Sequence, residues 1–127
     1  MKTIILDTNF LVESAKNKVD IHEELKRILD YTFEVAVLDR TLEELDSIAV
    51  KKTKEGLQAK LARTILLTKH VSIIPTEGGH TDNLLLKRAD ENNIIATMDK
   101  ELKTRLKKKK QSVIIIRGKQ KLAIVNA

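Results

Sequence analysis

A three-layer α/β/α domain around a central, mainly parallel five-stranded sheet is what this sequence predicts, on three observations. Short β-branched apolar runs recur along the chain, helical patterns stand between them, and the runs are continuously apolar instead of alternating with polar residues. Strands joined by crossover helices run in one direction, and strands that are apolar on both sides need a helical layer over each face. A length of 127 residues accommodates one such domain, 1–127, with a real hydrophobic core and no need of staples.

The first run, residues 3–6, ends at Asp7, which stands where an N-cap for a following helix would stand. Ile21, Leu25, Ile28 and Leu29 then share one helical stripe, with Asp20 as N-cap and Glu23 as its reciprocal carboxylate. After the second run, 35–38, a stripe of Leu42, Leu45, Ile48 and Ala49 marks another helix, and Thr41 with Glu44 matches a T-x-x-E capping box. The basic KKTK segment, 51–54, separates it from a longer helix carried by Leu57, Leu61, Ala62, Ile65 and Leu66 and running to about His70. Between the third and fourth runs, 71–74 and 94–97, lie a Gly78-Gly79 loop and a helix through Leu84, Leu85 and Ala89 that ends near Asn92 and Asn93. The last helix, 99–107, leads through a lysine run to the fifth strand, 113–116, and a turn at 117–119 opens an antiparallel edge strand at 122–125.

Composition narrows the function classes. Cysteine is absent, which excludes disulfides, thiol nucleophiles and cysteine-based zinc sites and is compatible with a reducing cytoplasm. The chain opens directly on its first strand and carries no membrane-length apolar run, so a soluble, cytoplasmic protein with no membrane partner is expected. With 24 Lys and Arg against 18 Asp and Glu, the net charge of +6 favours a polyanionic partner. Aromatics make up only 2% of the residues, too few for base-stacking platforms, so phosphate contacts would have to dominate binding to a nucleic acid.

In an open parallel sheet, ligands bind beyond the carboxyl ends of the strands. Asp7 follows the first strand and Asp99 follows IIAT by one residue, which places both at the same rim. Asp82 opens the helix after the glycine loop, and Glu44 lies in the first turns of the helix after the second strand. Each acid has a plain alternative: Asp7 as an N-cap, Glu44 as half of a capping box, Asp82 and Asp99 as first-turn complements of a helix dipole. Capping does not require a shared location, whereas these four are predicted to gather at one end of the sheet. Gathered carboxylates repel and raise each other's pKa unless a cation neutralises them, and Mg2+ or Mn2+ is the kind of hard ion that oxygen ligands hold. Such an ion would contact a phosphodiester and activate water, so phosphodiester hydrolysis is the reaction implied.

At these residues the chain resembles the PIN-domain nucleases. The motifs are IILDTN at 4–9, TLEELDSI at 41–48, HTDNLLLKRA at 80–89 and IIATMDKELKTRLK at 94–107, and together they span nearly the whole sequence. The resemblance implies a PIN-like fold and an endoribonuclease that uses Mg2+ or Mn2+. It assigns catalysis and metal coordination to Asp7, Glu44, Asp82 and Asp99, with Glu101 open as a further ligand or a plain surface acid. Thr8, Asn9 and Thr97 would supply supporting hydrogen bonds. Asn83 departs from relatives that carry a second Asp there, which puts an extra ligand at that position in doubt. In-line attack by water would leave a 5′-phosphate and a 3′-hydroxyl. Glu43 and Asp46 fit a helix surface better than the site, and His80 fits a loop without catalytic duty.

Lys103, Arg105, Lys107, Lys108, Lys109 and Lys110 follow the Asp99 motif and either guide an RNA backbone or form a solvated basic loop. Within the family, the TLEELDSI and MDKELKTRLK stretches look more like the rRNA-processing, small-subunit processome branch than like VapC-type toxins. The two settings imply different partners, a ribosome-assembly factor or an antitoxin, and a homodimer is compatible with either. A non-catalytic RNA-binding PIN domain and a phosphoryl-handling domain with Asp7 as acceptor are the competing readings. Asn9, standing where the DxD hydrolase signature has its second Asp, argues against the latter.

Overall fold

The computed structural model describes residues 1–126. Six strands, β1 (Lys2–Leu6), β2 (Phe33–Leu38), β3 (Ser72–Ile74), β4 (Asn93–Ala96), β5 (Val113–Arg117) and β6 (Lys121–Val125), form one sheet in the order β3-β2-β1-β4-β5-β6. The first five are parallel, and β6 returns antiparallel to β5 with Ile114 opposite Ile124 and Ile116 opposite Leu122. The chain starts in the middle of the sheet, winds outward to β3, then crosses back past β1 to build the other half. Connections therefore leave β1 and β4 in opposite directions, and a crevice opens beyond the carboxyl ends of those two strands.

Helices α1 (Thr8–Lys16), α2 (Ile21–Ile28), α3 (Asp39–Ala49) and α4 (Lys54–Thr68) cover one face, and α5 (Thr81–Arg88) and α6 (Lys100–Lys108) cover the other. The period-two geometry of a strand makes this possible: Ile4 and Leu6 of β1 enter the first core with Phe10, Leu25, Leu45 and Leu66, while Ile5 enters the second with Leu85, Leu102 and Leu106. Both faces of the central strands are thus buried, which accounts for the unbroken apolar runs in the sequence.

Two features differ from expectation, each for a local reason. The capping box at Thr41 does not form. α3 begins two residues earlier, at Asp39, so Thr41 is interior to the helix with its hydroxyl buried and unpartnered, and Glu44 is released for other work. Asp39 has another role: its carboxylate accepts from the hydroxyl and N–H of Thr76 at 2.6 and 3.0 Å, which holds the loop after β3 against α3 and keeps the Asp39 pKa below the usual carboxylate range. α5 stops at Arg88 instead of near Asn92, because the Asp90 carboxylate accepts the N–H groups of Asn92 and Asn93 at 2.8 and 2.9 Å and makes a turn into β4.

Three helices close on non-glycine residues in the left-handed region, Lys18, His70 and Lys110, with φ of 56°, 53° and 63°. In each case the next N–H reaches back five residues to a helix carbonyl: Val19 to Ser14, Val71 to Leu66 and Gln111 to Leu106. Gly56, in the first turn of α4, packs against the main chain of the preceding connection, where a Cβ would run into the Lys51 carbonyl oxygen.

Candidate active site

Adjacency of β1 and β4 places the residues just past their ends side by side. Leu6 is opposite Ala96 in register, the Asp7 N–H donates to the Ala96 carbonyl at 2.9 Å, and the Thr97 hydroxyl donates to Asp7 Oδ2 at 2.7 Å. The other Asp7 oxygen, Oδ1, accepts the N–H of Thr8 at 2.8 Å as the N-cap of α1. Thr97 also accepts the N–H of Asp99 at 3.1 Å, and Asn9 Oδ1 accepts the N–H of Met98 at 3.1 Å. These bonds clamp the loop after β4 to the first turn of α1, so the separation of Asp7 and Asp99 is set by hydrogen bonds of the Thr97 and Asn9 side chains together with the main chain.

Asp7 is only 4% exposed. Burial raises its pKa to about 6; the donors Thr97 and Thr8 work against that rise, and the neighbouring charges of Asp82 and Glu44 add to it. Glu44 extends from α3 toward the same place. Its Oε1 accepts the Thr8 hydroxyl at 2.7 Å and the Thr81 hydroxyl at 2.9 Å, while among the described residues no donor meets its Oε2. Asp82, in the first turn of α5, accepts no hydrogen bond among the described residues. Its pKa is raised by burial and then by the charges of Asp99 and Glu44, with Arg105 opposing. Asp99 caps α6 by accepting the Leu102 N–H at 2.9 Å through Oδ1, and among the described residues no donor meets its Oδ2. The capping expected of Asp7 does form, and Asp99, expected in the first turn of its helix, is the N-cap instead, which orients its carboxylate without saturating it.

Asp7, Glu44, Asp82 and Asp99 line one cleft of about 590 Å³, whose walls also include Thr8, Asn9 and Lys16. None of the four takes part in an ion pair among the described residues. Four carboxylates with no paired cation repel one another, and among the described residues no three of them draw together into a compact ligand cage. The donor set itself, all hard oxygens on separate elements, fits a divalent ion such as Mg2+ or Mn2+, which keeps several waters and takes only a few carboxylates.

The remaining sequence candidates divide. Thr8, Asn9 and Thr97 all lie at the cleft and make the bonds just described. Glu101 is exposed on α6 and acts on Asp82 through its charge without lining the cleft. Asn83 accepts from the Arg105 guanidinium at 2.8 Å, and both border a smaller hollow with Glu44, His80 and Asp82, so Arg105 belongs to the rim of the acidic site. Lys109 is engaged elsewhere: its ammonium donates to the carbonyls of Leu86 and Ala89 at 2.7 and 2.8 Å, closing the carboxyl end of α5. Lys103 and Lys107 line a separate hollow beside β6, and Lys108 and Lys110 are exposed beyond it. Glu43 and Asp46 lie on the helix surface, facing Arg40 at 3.8 Å and Arg63 at 3.1 Å. Sequence reasoning missed Thr81, whose only signal was a hydroxyl beside Asp82, and it missed Lys16 and Lys54, which reach the cleft only through helix packing.

A parallel sheet with the order 3-2-1-4-5 and four acids converging at its switch point is the arrangement of a PIN-like domain. Residues 4–119 match the family model described as a PIN like domain, and the chain belongs to that family. Ribonuclease VapC4 of Methanocaldococcus jannaschii is 33% identical over 124 residues, covering 94% of each chain. The solved PIN domain endonuclease Utp24 superposes with a TM-score of 0.82 at 22% identity, over 98% of this chain and 92% of its own. VapBC-1 from nontypeable Haemophilus influenzae gives a TM-score of 0.50 at 16% identity, over 84% of this chain and 93% of the matched one. A ribonuclease named VapC4 and the PIN domain endonuclease Utp24 are thus both among the proteins this chain is similar to.

Proposed function

We propose that this chain, as one PIN-like domain over 1–127, is a divalent-cation-dependent endoribonuclease that hydrolyses phosphodiester bonds of RNA. The observation that carries the reading is the convergence of Asp7, Glu44, Asp82 and Asp99 on one cleft at the ends of β1 and β4. Membership of the PIN-like family and 33% identity to a protein named a ribonuclease support it. Mg2+ or Mn2+ would be held by Asp7, Glu44, Asp82 and Asp99, with Glu101 outside that set, and when bound would supply positive charge to a phosphodiester and its attacking water. The chain's own groups prepare the cleft. Thr97 and the Thr8 N–H fix the orientation of Asp7, Thr8 and Thr81 hold Glu44 through its Oε1, and Asn9 and Thr97 hold the main chain that carries Asp99. Prepositioned acceptors of this kind lower the cost of ordering the site at the moment of reaction.

Incubating the purified protein with structured RNA, with Mn2+ or Mg2+ and then with a chelator, tests the reading. Cleavage should depend on the cation and disappear in Asp99→Asn, a variant that keeps a good N-cap for α6. Full activity of Asp99→Asn, in preparations free of other nucleases, would defeat the assignment.

For the biological setting, a toxin-type role in the cytoplasm with a small antitoxin as partner is favoured over the rRNA-processing role that the motifs suggested. The relative named VapC4 shares a third of its residues over nearly the full length, whereas the likeness to Utp24, at 22% identity, speaks for the fold alone. Growth arrest on expression, relieved by a small protein encoded alongside, is the expected result. Normal growth, with the protein recovered instead in ribosome-assembly particles, would return the reading to rRNA processing.

A further inference from the structure

We propose that an RNA strand leaving the acidic cleft crosses the first turn of α4 and lies along a basic trough formed by the α3–α4 connection, held through its phosphates by Lys51, Lys52, Lys54 and Lys60. The direction of the strand rests on the ribonuclease reading above; the trough itself rests on separate observations.

The cleft runs away from the four acids along α1, whose residues Asn9, Glu13 and Lys16 fall at helical spacing on its wall, and it ends at Lys54, Glu55 and Gln58 of α4. Lys54 also lines an adjoining hollow of about 880 Å³ whose other walls include Lys51, Lys52, Lys60, Val50 and Leu57. Two concave surfaces therefore meet at one shared lysine, Lys54. Four lysines face a single carboxylate there, Asp46, and that group is already met by Arg63 at 3.1 Å; none of the four lysines has an ion-pair partner among the described residues. Unpaired cations along a groove attract a phosphate backbone without regard to sequence.

The local fold explains why the lysines gather. Thr53 caps α4 by accepting the Gly56 N–H at 3.1 Å, and Gly56 has no Cβ to strike the Lys51 carbonyl, so the KKTK segment folds back tightly against the helix it precedes. Val50 and Leu57, 80% and 66% exposed, supply an apolar strip between the ammonium groups on which sugars and bases can rest in a protein so poor in aromatics. The lysine run after α6 lacks this arrangement. Lys109 is held by the carbonyls at the end of α5, and the hollow lined by Lys103 and Lys107 contains none of the four acids.

The experiment is a salt series of fluorescence-anisotropy titrations with labelled single-stranded RNA in EDTA, where nothing is cut. The variants are Lys51→Gln/Lys52→Gln/Lys54→Gln/Lys60→Gln, the same four positions as Arg, and a comparison set of Lys103→Gln/Lys107→Gln/Lys108→Gln/Lys110→Gln. Each lysine that meets a phosphate contributes about 0.7 to the slope of log K against log salt on a single strand, so the trough variant should flatten the slope by about 2 to 3. The Arg version should restore it, and the comparison set should stay close to the unmodified protein. An unchanged slope in the trough variant, a larger loss in the comparison set, or no RNA binding by the unmodified protein would overturn the inference. Cleavage assays on the same preparations keep the two claims apart. A protein that binds with the steep slope but cuts nothing with Mg2+ or Mn2+ would refute the nuclease reading and leave the trough standing. One that cuts, with KM unmoved in the trough variant, would do the reverse.

Discussion

Asp7 is the residue through which the cleft most affects the stability of the fold, and Asp7→Asn in metal-free buffer measures the effect. Burial raises its pKa from 3.8 to about 6 in the folded chain. A carboxyl whose pKa is higher when folded binds its proton more tightly in the native state. The native state is therefore favoured when the group is protonated, and that advantage is lost as pH rises from the unfolded value through about 6. Each pH unit between the two values is worth about 1.4 kcal/mol, so the ionised carboxylate costs the folded protein about 3 kcal/mol above neutrality. Asparagine carries no charge at any pH but can accept only one of the two bonds from Thr97 and the Thr8 N–H, which returns about 1 to 2 kcal/mol of the gain. At about pH 8 in EDTA the variant should be more stable by about 1 to 2 kcal/mol, which is several degrees in Tm for a chain of this size. Near pH 4 the advantage should vanish or reverse, since Asp7 is then mostly protonated in the native protein. Denaturant titrations of both proteins across that range give the difference directly and cancel contributions from other groups. A stability difference that stays flat with pH would refute the account of Asp7 as a buried, strained anion.

Three further outcomes follow from particular contacts. Thr81→Val removes one of the two donors to Glu44 and should lower cation-dependent cleavage about tenfold or more, since a hydrogen bond to a charged group contributes about 1.5 to 3 kcal/mol; Thr81→Ser should retain most activity, and equal rates for the two variants would sink the role. His70→Gly relieves a left-handed backbone at the end of α4 and should raise stability by about 1 kcal/mol in urea unfolding, with a drop counting against the strain argument. Gly56→Ala, although alanine is the better helix former, should destabilise by about 1 to 3 kcal/mol because its Cβ meets the Lys51 carbonyl, and it should weaken RNA binding along with the displaced lysines; a stabilised variant would show that the connection can move aside.

Local chemistry determined which segments are strands and helices here. The β-branched runs, the stripes at helical spacing and the caps at Asp7 and Asp20 depend on neighbours within a turn or two, so one sequence suffices to read them. Asp7 and Asp99 were legible as partners for the same reason: in a parallel sheet, residues that follow strand ends share an edge. The tertiary structure decided what depends on packing across long separations in the chain. The placement of β4 beside β1 makes the switch point, and the early start of α3 frees Glu44 from its expected cap for the hydroxyls of Thr8 and Thr81, 36 and 37 residues away. Lys109 was drawn to the carbonyls of α5 while the KKTK segment, which looked like a mere spacer, was folded beside the cleft. A side chain's charge can be read in the sequence; the groups it will meet cannot, because burial and contact are set by how whole helices pack on the sheet, and many sequences of the same pattern share that packing.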